Sequence, residues 1–259
     1  MSTTPASTPH SLIALDAHGI ATLTIRDAGV LNILSSPVIN DLTAAVQALS
    51  ARPELRVLVL RGSGERAFIG GADIREMATL DPAGARAFIT RLKQLCEAVR
   101  RCPAPTIARL AGHALGGGLE VALACDLRIA DAGAHFGMPE VAVGIPSVIH
   151  AALLPRLVGD SRARWLLLSG ESIDAPTALA WGLVQELCES GTLDARIAAR
   201  AQRLAGFGPA ALRQQKALLR DWESQPLDAA IDATVAAFGQ AFETGEPQQH
   251  MQAFLQRPR

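Results

Sequence analysis

Gly112-His113-Ala114-Leu115-Gly116-Gly117-Gly118-Leu119-Glu120 and the earlier Phe68-Ile69-Gly70-Gly71-Ala72-Asp73-Ile74 carry more information than the rest of this 259-residue chain. Glycine has no Cβ, so backbone in such a stretch can approach a ligand closely. Each stretch runs into a segment that reads as the start of a helix, which leaves N–H groups free to face a developing negative charge. Two such donors converging on one carbonyl oxygen make an oxyanion hole. The second stretch ends in a carboxylate, Glu120, and Glu140 follows at the end of His135-Phe136-Gly137-Met138-Pro139. Donors together with acids point to an enzyme acting on a carbonyl compound.

Outward from these stretches, strand and helix signals alternate. Ser11–Asp16 and Ile20–Arg26 read as paired strands around a His18-Gly19 turn. Pro37–Leu49 has helical periodicity, with Val38, Leu42, Val46 and Leu49 near one face. Arg56–Leu60 is a compact apolar strand entering the first glycine-rich loop, and Ala85–Arg101 reads as a long helix stopped by Pro103 and Pro105. Thr106–Leu110 is a strand feeding the second glycine stretch, with a short helix from Gly117 to Ala124 and further strands at Asp126–Ala130 and Ala134–Gly137. From Pro146 onward the pattern is almost wholly helical. Strand–helix alternation followed by helices alone predicts an α/β core and a helical C-terminal portion.

Nearly half of the residues are hydrophobic and 19% are charged, which allows a large core and argues against disorder. A net charge of −1 leaves no basic field for nucleic acid. Cys96, Cys102, Cys125 and Cys188 are scattered without CxxC spacing and read as free thiols in a reducing compartment. Met1–His10 is polar and reads as a frayed tail, not a signal or transit peptide. No apolar run approaches membrane-spanning length, so a soluble cytoplasmic protein without membrane partners is expected.

Three other chemistries fail on context. Gly62-Ser63-Gly64-Glu65-Arg66-Ala67 fits a loose dinucleotide fingerprint, but that fingerprint needs a helix to open at once, and Phe68-Ile69-Gly70-Gly71 intervenes. A tight turn is the better reading. Ser147 and His150 lie close in sequence, yet no GxSxG elbow surrounds the serine. No histidine pair has metal-ligand spacing, and no second imidazole lies within His135–Glu140, so no metal is expected.

A single glutamate near a helix is usually a solvated residue or a cap. Glu120 is followed by Val121-Ala122-Leu123-Ala124, and Glu140 sits between Pro139 and Val141-Ala142-Val143. A carboxylate in apolar surroundings needs partners or a raised pKa. Two such acids flanking a donor pair suit general acid–base work near neutral pH.

These residues also carry a resemblance. Phe68-Ile69-Gly70-Gly71-Ala72-Asp73-Ile74-Arg75-Glu76-Met77, then Gly112–Glu120 running into Ala124-Cys125-Asp126-Leu127, then Phe136-Gly137-Met138-Pro139-Glu140, resemble the three ordered signatures of the crotonase (enoyl-CoA hydratase/isomerase) superfamily. The similarity extends from Ile13 to Ala253-Phe254-Leu255. It implies stacked ββα turns over residues 11–200 and a helical region over 201–259 that mediates trimer formation, as a homotrimer or a dimer of trimers. It implies an acyl-CoA substrate with no further cofactor, coenzyme A being part of the substrate. It assigns the Ala72 and Gly117 N–H groups to the oxyanion hole, Glu120 to activation of the water that adds at Cβ, and Glu140 to protonation of Cα. Hydration of a 2-enoyl-CoA is the most economical reading. Double-bond isomerisation, which can use one acid–base residue, and a silent acyl-CoA-binding scaffold remain as alternatives. Arg75 is matched either to the coenzyme A phosphates or to an ordinary exposed cation. Phe254 and Arg257 match positions that offer a ring and a basic group to coenzyme A, or they anchor and solvate the last helix. One segment departs from the family: Gly144-Ile145-Pro146-Ser147-Val148-Ile149-His150-Ala151-Ala152 puts bulky residues where relatives carry a glycine-rich turn beside the acyl pocket and the water.

Overall fold

The computed structural model describes residues 6–256. β1 (Ser11–Leu15) and β2 (Ile20–Ile25) pair antiparallel, with Ser11 opposite Ile25. The Asp16 carboxylate holds their turn by accepting the N–H groups of His18 and Ile20, each at 2.9 Å. α1 (Ser36–Ser50) carries Pro37 in its first turn, where a missing N–H leaves nothing unpaired, and buries Val38, Ile39, Leu42, Val46 and Leu49 along one stripe.

The chain then repeats one unit: a long strand, a short strand, a helix. The first repeat is β3 (Val57–Arg61), β4 (Ala67–Ile69), α2 (Ile74–Met77) and α3 (Pro82–Arg101). The second is β5 (Thr106–Leu110), β6 (His113–Leu115) and α4 (Gly117–Leu123). The third is β7 (Leu127–Asp131), β8 (His135–Gly137), two 3₁₀ helices at Pro139–Val143 and Ile149–Leu153, α5 (Leu154–Val158) and α6 (Asp160–Ser169). The remainder is β9 (Ser172–Asp174), α7 (Ala175–Ala180), β10 (Glu186–Cys188), α8 (Leu193–Ala205), α9 (Pro209–Trp222), α10 (Leu227–Glu243) and α11 (Glu246–Leu255). Long strands form a six-stranded sheet in the order β1-β2-β3-β5-β7-β10, and short strands form a second sheet, β4-β6-β8-β9. This is the stacked ββα architecture expected from the resemblance.

Helices alone after Pro146 are not what the chain forms. β9 pairs antiparallel with β8, Asp174 opposite His135, and β10 pairs parallel with β7, Glu186 opposite Ile129. Three residues are too few to show an alternating pattern, so these edge strands have no sequence signature of their own. β4 and β6, inside the glycine-rich stretches, are hidden for the same reason.

The central strands of the large sheet pack apolar residues on both faces because helices cover both. Leu58, Leu60, Ala108 and Leu110 face the core shared with α1 and α3. Val57, Val59, Ile107 and Ile129 pack with Leu193, Ile197 and Ala201 of α8. α8 therefore runs through the expected 200/201 division, with buried residues on both sides of it. α9 is tied down by Lys216, whose Nζ lies 2.7 Å from Asp126 Oδ2 and donates to the Ala104 carbonyl at 3.1 Å. On α10, Leu227, Ile231, Val235 and Phe238 form an exposed stripe. No described helix is long and apolar enough to cross a membrane.

Candidate active site

Pairing of β4 with β6, Ile69 opposite Ala114, brings the two glycine-rich stretches side by side. A parallel bridge joins Leu34 to Ala72: Leu34 N–H donates to Gly71 and its carbonyl accepts from Asp73. In such a bridge the N–H of the middle residue points away from the partner strand, so the Ala72 N–H is turned from Leu34. The expectation of a helix-terminus donor is corrected here: Ala72 lies before the cap Asp73, and strand geometry aims its N–H. Gly117, by contrast, is the first residue of α4. Neither N–H has an acceptor among the described residues.

Every residue of α4 is buried, and Glu120 is 2% exposed. Its Oε1 accepts the Ala151 N–H at 3.0 Å. Burial pushes its pKa up to about 8, and the neighbouring Glu140 adds to the rise, while the Ala151 and His150 amides oppose it. The apolar setting expected for this acid is present.

Glu140 differs. Val141 and Val143, its apolar sequence neighbours, are 40% and 52% exposed. A one-turn 3₁₀ helix after β8 faces them outward, which corrects the expectation of an apolar niche. Glu140 instead accepts the Ser147 hydroxyl on Oε2 at 2.8 Å, and its Oε1 lies 2.6 Å from where a Cβ on Gly116 would stand. Ser147 was not anticipated as its partner, since the contact depends on the left-handed turn at Gly144 (φ +80°).

The departing segment thus touches both acids. Ser147 and His150 do not share a helix face: Ser147 bonds Glu140, and the His150 Nε2 meets Glu97 Oε1 of α3 at 3.2 Å. Ile149 between them has φ +41°, a conformation costing a β-branched residue on the order of 1–3 kcal/mol. The 62–67 turn leads straight into β4, with no helix at its end. Strand register sets His113 beside His135, ring centroids 5.7 Å apart, a neighbour that sequence spacing hides. Among the described residues no three His, Cys, Asp or Glu side chains gather as metal ligands.

Arg75 is exposed on α2, its side chain unpaired among the described residues. Phe254 lies on α11 and is 68% exposed, whereas Arg257 falls outside the described residues.

Known proteins resemble this chain in sequence and in fold. The enoyl-CoA hydratase/isomerase family model matches residues 16–259. The chain is 34% identical over 239 residues to the crotonyl-CoA hydratase of Syntrophomonas wolfei, covering 92% of each. It is 32% identical over 247 residues to the short-chain-enoyl-CoA hydratase of Clostridium acetobutylicum, covering 95% of each. Among solved structures, Pseudomonas aeruginosa DspI matches with a TM-score of 0.93 at 30% identity over the whole of both chains. An enoyl-CoA hydratase from Bacillus anthracis matches at 0.91 with 29% identity over 95% of each. With its three glycine- and glutamate-bearing motifs folded into one site, the chain belongs to the enoyl-CoA hydratase/isomerase family.

Proposed function

We propose that the protein adds water to a 2-enoyl-CoA thioester to give the 3-hydroxyacyl-CoA, and removes it in the reverse direction. The observation that carries this reading is the pair of unlike carboxylates, one buried and one hydroxyl-bonded, flanking two N–H groups without acceptors among the described residues. The thioester oxygen takes the Ala72 and Gly117 N–H groups, which stabilise charge that builds there as water attacks. Glu120 receives the proton of the attacking water while its oxygen bonds to Cβ. The π electrons pass through the enolate to Cα, which takes its proton from Glu140. No redox change occurs, and coenzyme A enters and leaves with the substrate.

Arg75 is proposed to reach the coenzyme A phosphates, with Phe254 and Arg257 adding a ring and a cation from the C-terminal end. The apolar stripe on α10 is proposed to be covered by further copies, in a homotrimer or a pair of trimers. Four free, buried cysteines favour a cytoplasmic setting.

The test is loss of conjugated enoyl-thioester absorbance with crotonyl-CoA and a panel of longer and branched enoyl-CoAs. Formation of 3-hydroxyacyl-CoA on any member supports hydration; shifted double bonds without hydroxyl product would replace it with isomerisation. Within this assay, Ser147→Ala is expected to lower kcat about tenfold, the size of one hydrogen bond lost from the carboxyl that delivers the proton. Ser147→Thr keeps the hydroxyl and restores most of the rate. Full activity in the alanine variant would remove Ser147 from the site.

A further inference from the structure

His150 is an ionisable side chain, 6% exposed, that the reaction above leaves unused. Its backbone lies between Ile149, in the left-handed region, and Ala151, whose N–H is held by Glu120. Its ring reaches away from that acid to Glu97, which is anchored in turn by Arg101 at 2.7 Å and Arg100 at 3.6 Å. An imidazole nitrogen against a carboxylate carries the hydrogen, so Nε2 donates and Nδ1 is the acceptor. Nδ1 has no partner among the described residues, which leaves Glu97 as the ring's polar anchor. The charged groups around the ring are Lys93, Glu97 and Arg100 of α3, with Glu120 of α4 beyond its backbone. Arg156 of α5 is turned to the Glu223 carbonyl.

We propose that Glu97 and His150 form a positioning pair for Glu120: their bond pins the strained turn at Ile149 and so keeps the Ala151 N–H on the carboxylate. A left-handed β-branched residue relaxes unless its surroundings over-determine it. On one side Ser147 holds the segment to Glu140, and on the other the buried ring holds it to α3. Relaxation at Ile149 would rotate the peptide that presents the Ala151 N–H. Glu120 would then lose a donor that favours its ionised form, and its orientation with it. The segment that departs from the family pattern acts here as a clamp on the water-activating acid.

This inference rests on the hydratase reading, and its test separates the two. Glu97→Ala and His150→Leu are each expected to lower kcat about 10- to 100-fold, the range for a displaced catalytic group, with KM for crotonyl-CoA little changed. The alkaline limb of the pH–rate profile moves upward in both, because the carboxylate has lost a donor. His150→Gln, whose amide nitrogen can stand where Nε2 stands, restores rate and profile. The double variant is no worse than either single one, as expected when both act through one bond. Wild-type kcat and pH profile in Glu97→Ala, or losses that multiply in the double variant, would overturn the pair. Glu97 is partly exposed, so its variant carries the test even where His150→Leu fails to fold. Infrared titration of the Glu120 carboxyl band, taken as the difference from Glu120→Gln, reads the same upward shift without turnover. Should the wild type hydrate no enoyl thioester, the hydratase reading fails while that band still decides the pair.

Discussion

Glu120→Gln and Glu140→Gln are each expected to lower kcat for crotonyl-CoA hydration by about 10²- to 10⁴-fold, the usual span for a positioned acid or base. Glutamine preserves the volume and the acceptor oxygen: the amide at 120 still takes the Ala151 N–H, and the one at 140 still takes the Ser147 hydroxyl. Proton exchange is what the substitutions remove. Glu120→Gln carries a second expected result. Burial holds the folded-state pKa of Glu120 near 8, well above the ordinary carboxylate value, so the folded chain binds more protons than the unfolded chain between those limits. The contribution of Glu120 to stability is therefore full at low pH and falls as pH rises, by up to about 1.4 kcal/mol per pH unit across that window. Glu120→Gln abolishes this slope and unfolds at a higher temperature than wild type at pH 8, while at pH 5 the two nearly coincide. Lost activity together with gained alkaline stability marks a carboxyl kept for chemistry at the expense of the fold. Unchanged turnover in either variant would end the two-glutamate mechanism.

The same proton accounting constrains the rate profile. Hydration consumes no net proton, so forward and reverse kcat/KM must share one pH dependence. One proton has to be shared between the two carboxyls: on Glu140 when water adds, on Glu120 when water leaves. With the singly protonated pair as the reactive form, kcat/KM falls in both directions as pH rises through about 8, where the buried acid ionises. A kcat/KM that stayed level in both directions through pH 8 would rule out the singly protonated pair as the reactive form.

Motifs at 112–120 and 136–140 singled out both acids, because each places a backbone turn and a carboxylate within a few residues, while the stacked ββα repeat was implied only by the family resemblance that they carry together with 68–77. Long strands such as Arg56–Leu60 and helices such as Ala85–Arg101 were legible from a continuous apolar run and from period. What escaped is set by register or by turns. β9 and β10 are edge pairings of three residues, and their existence depends on β8 and β7 being already in place. The Ala72 donor is aimed by a bridge to Leu34, far away in sequence. Ser147 meets Glu140 across a left-handed glycine, and Glu97 meets His150 by packing of α3 against the 3₁₀ helix. None of these partners has a spacing rule that would have revealed it. Valines around Glu140 misled because chain neighbours need not be spatial ones.

Gly116→Ala and Gly118→Ala, two residues apart, are expected to fail in different ways. Gly116 has φ +52° and ψ −126°, backbone that only glycine adopts readily, and an added Cβ would stand 2.6 Å from Glu140 Oε1. The obstructing atom is the end of a flexible side chain, so the carboxylate yields while the surrounding fold persists. Displacing it by an ångström costs about 10²-fold in kcat. Backbone strain lowers stability by about 1–3 kcal/mol. At Gly118 an added Cβ would stand 2.3 Å from the Ile69 carbonyl oxygen and 2.7 Å from its Cβ. That oxygen belongs to β4, which is buried and paired with β6, and it cannot move without parting the two glycine-rich stretches. Overpacking of this kind costs about 1–3 kcal/mol or more, and here it also separates the Ala72 and Gly117 donors. Thermal unfolding and crotonyl-CoA turnover on the two variants distinguish the mechanisms. Gly118→Ala loses both stability and activity, and lowering the temperature does not restore its rate. Gly116→Ala binds coenzyme A thioester and remains folded, yet turns over slowly. Wild-type turnover in Gly116→Ala would mean that Glu140 does not need the place against Gly116 in which it is held.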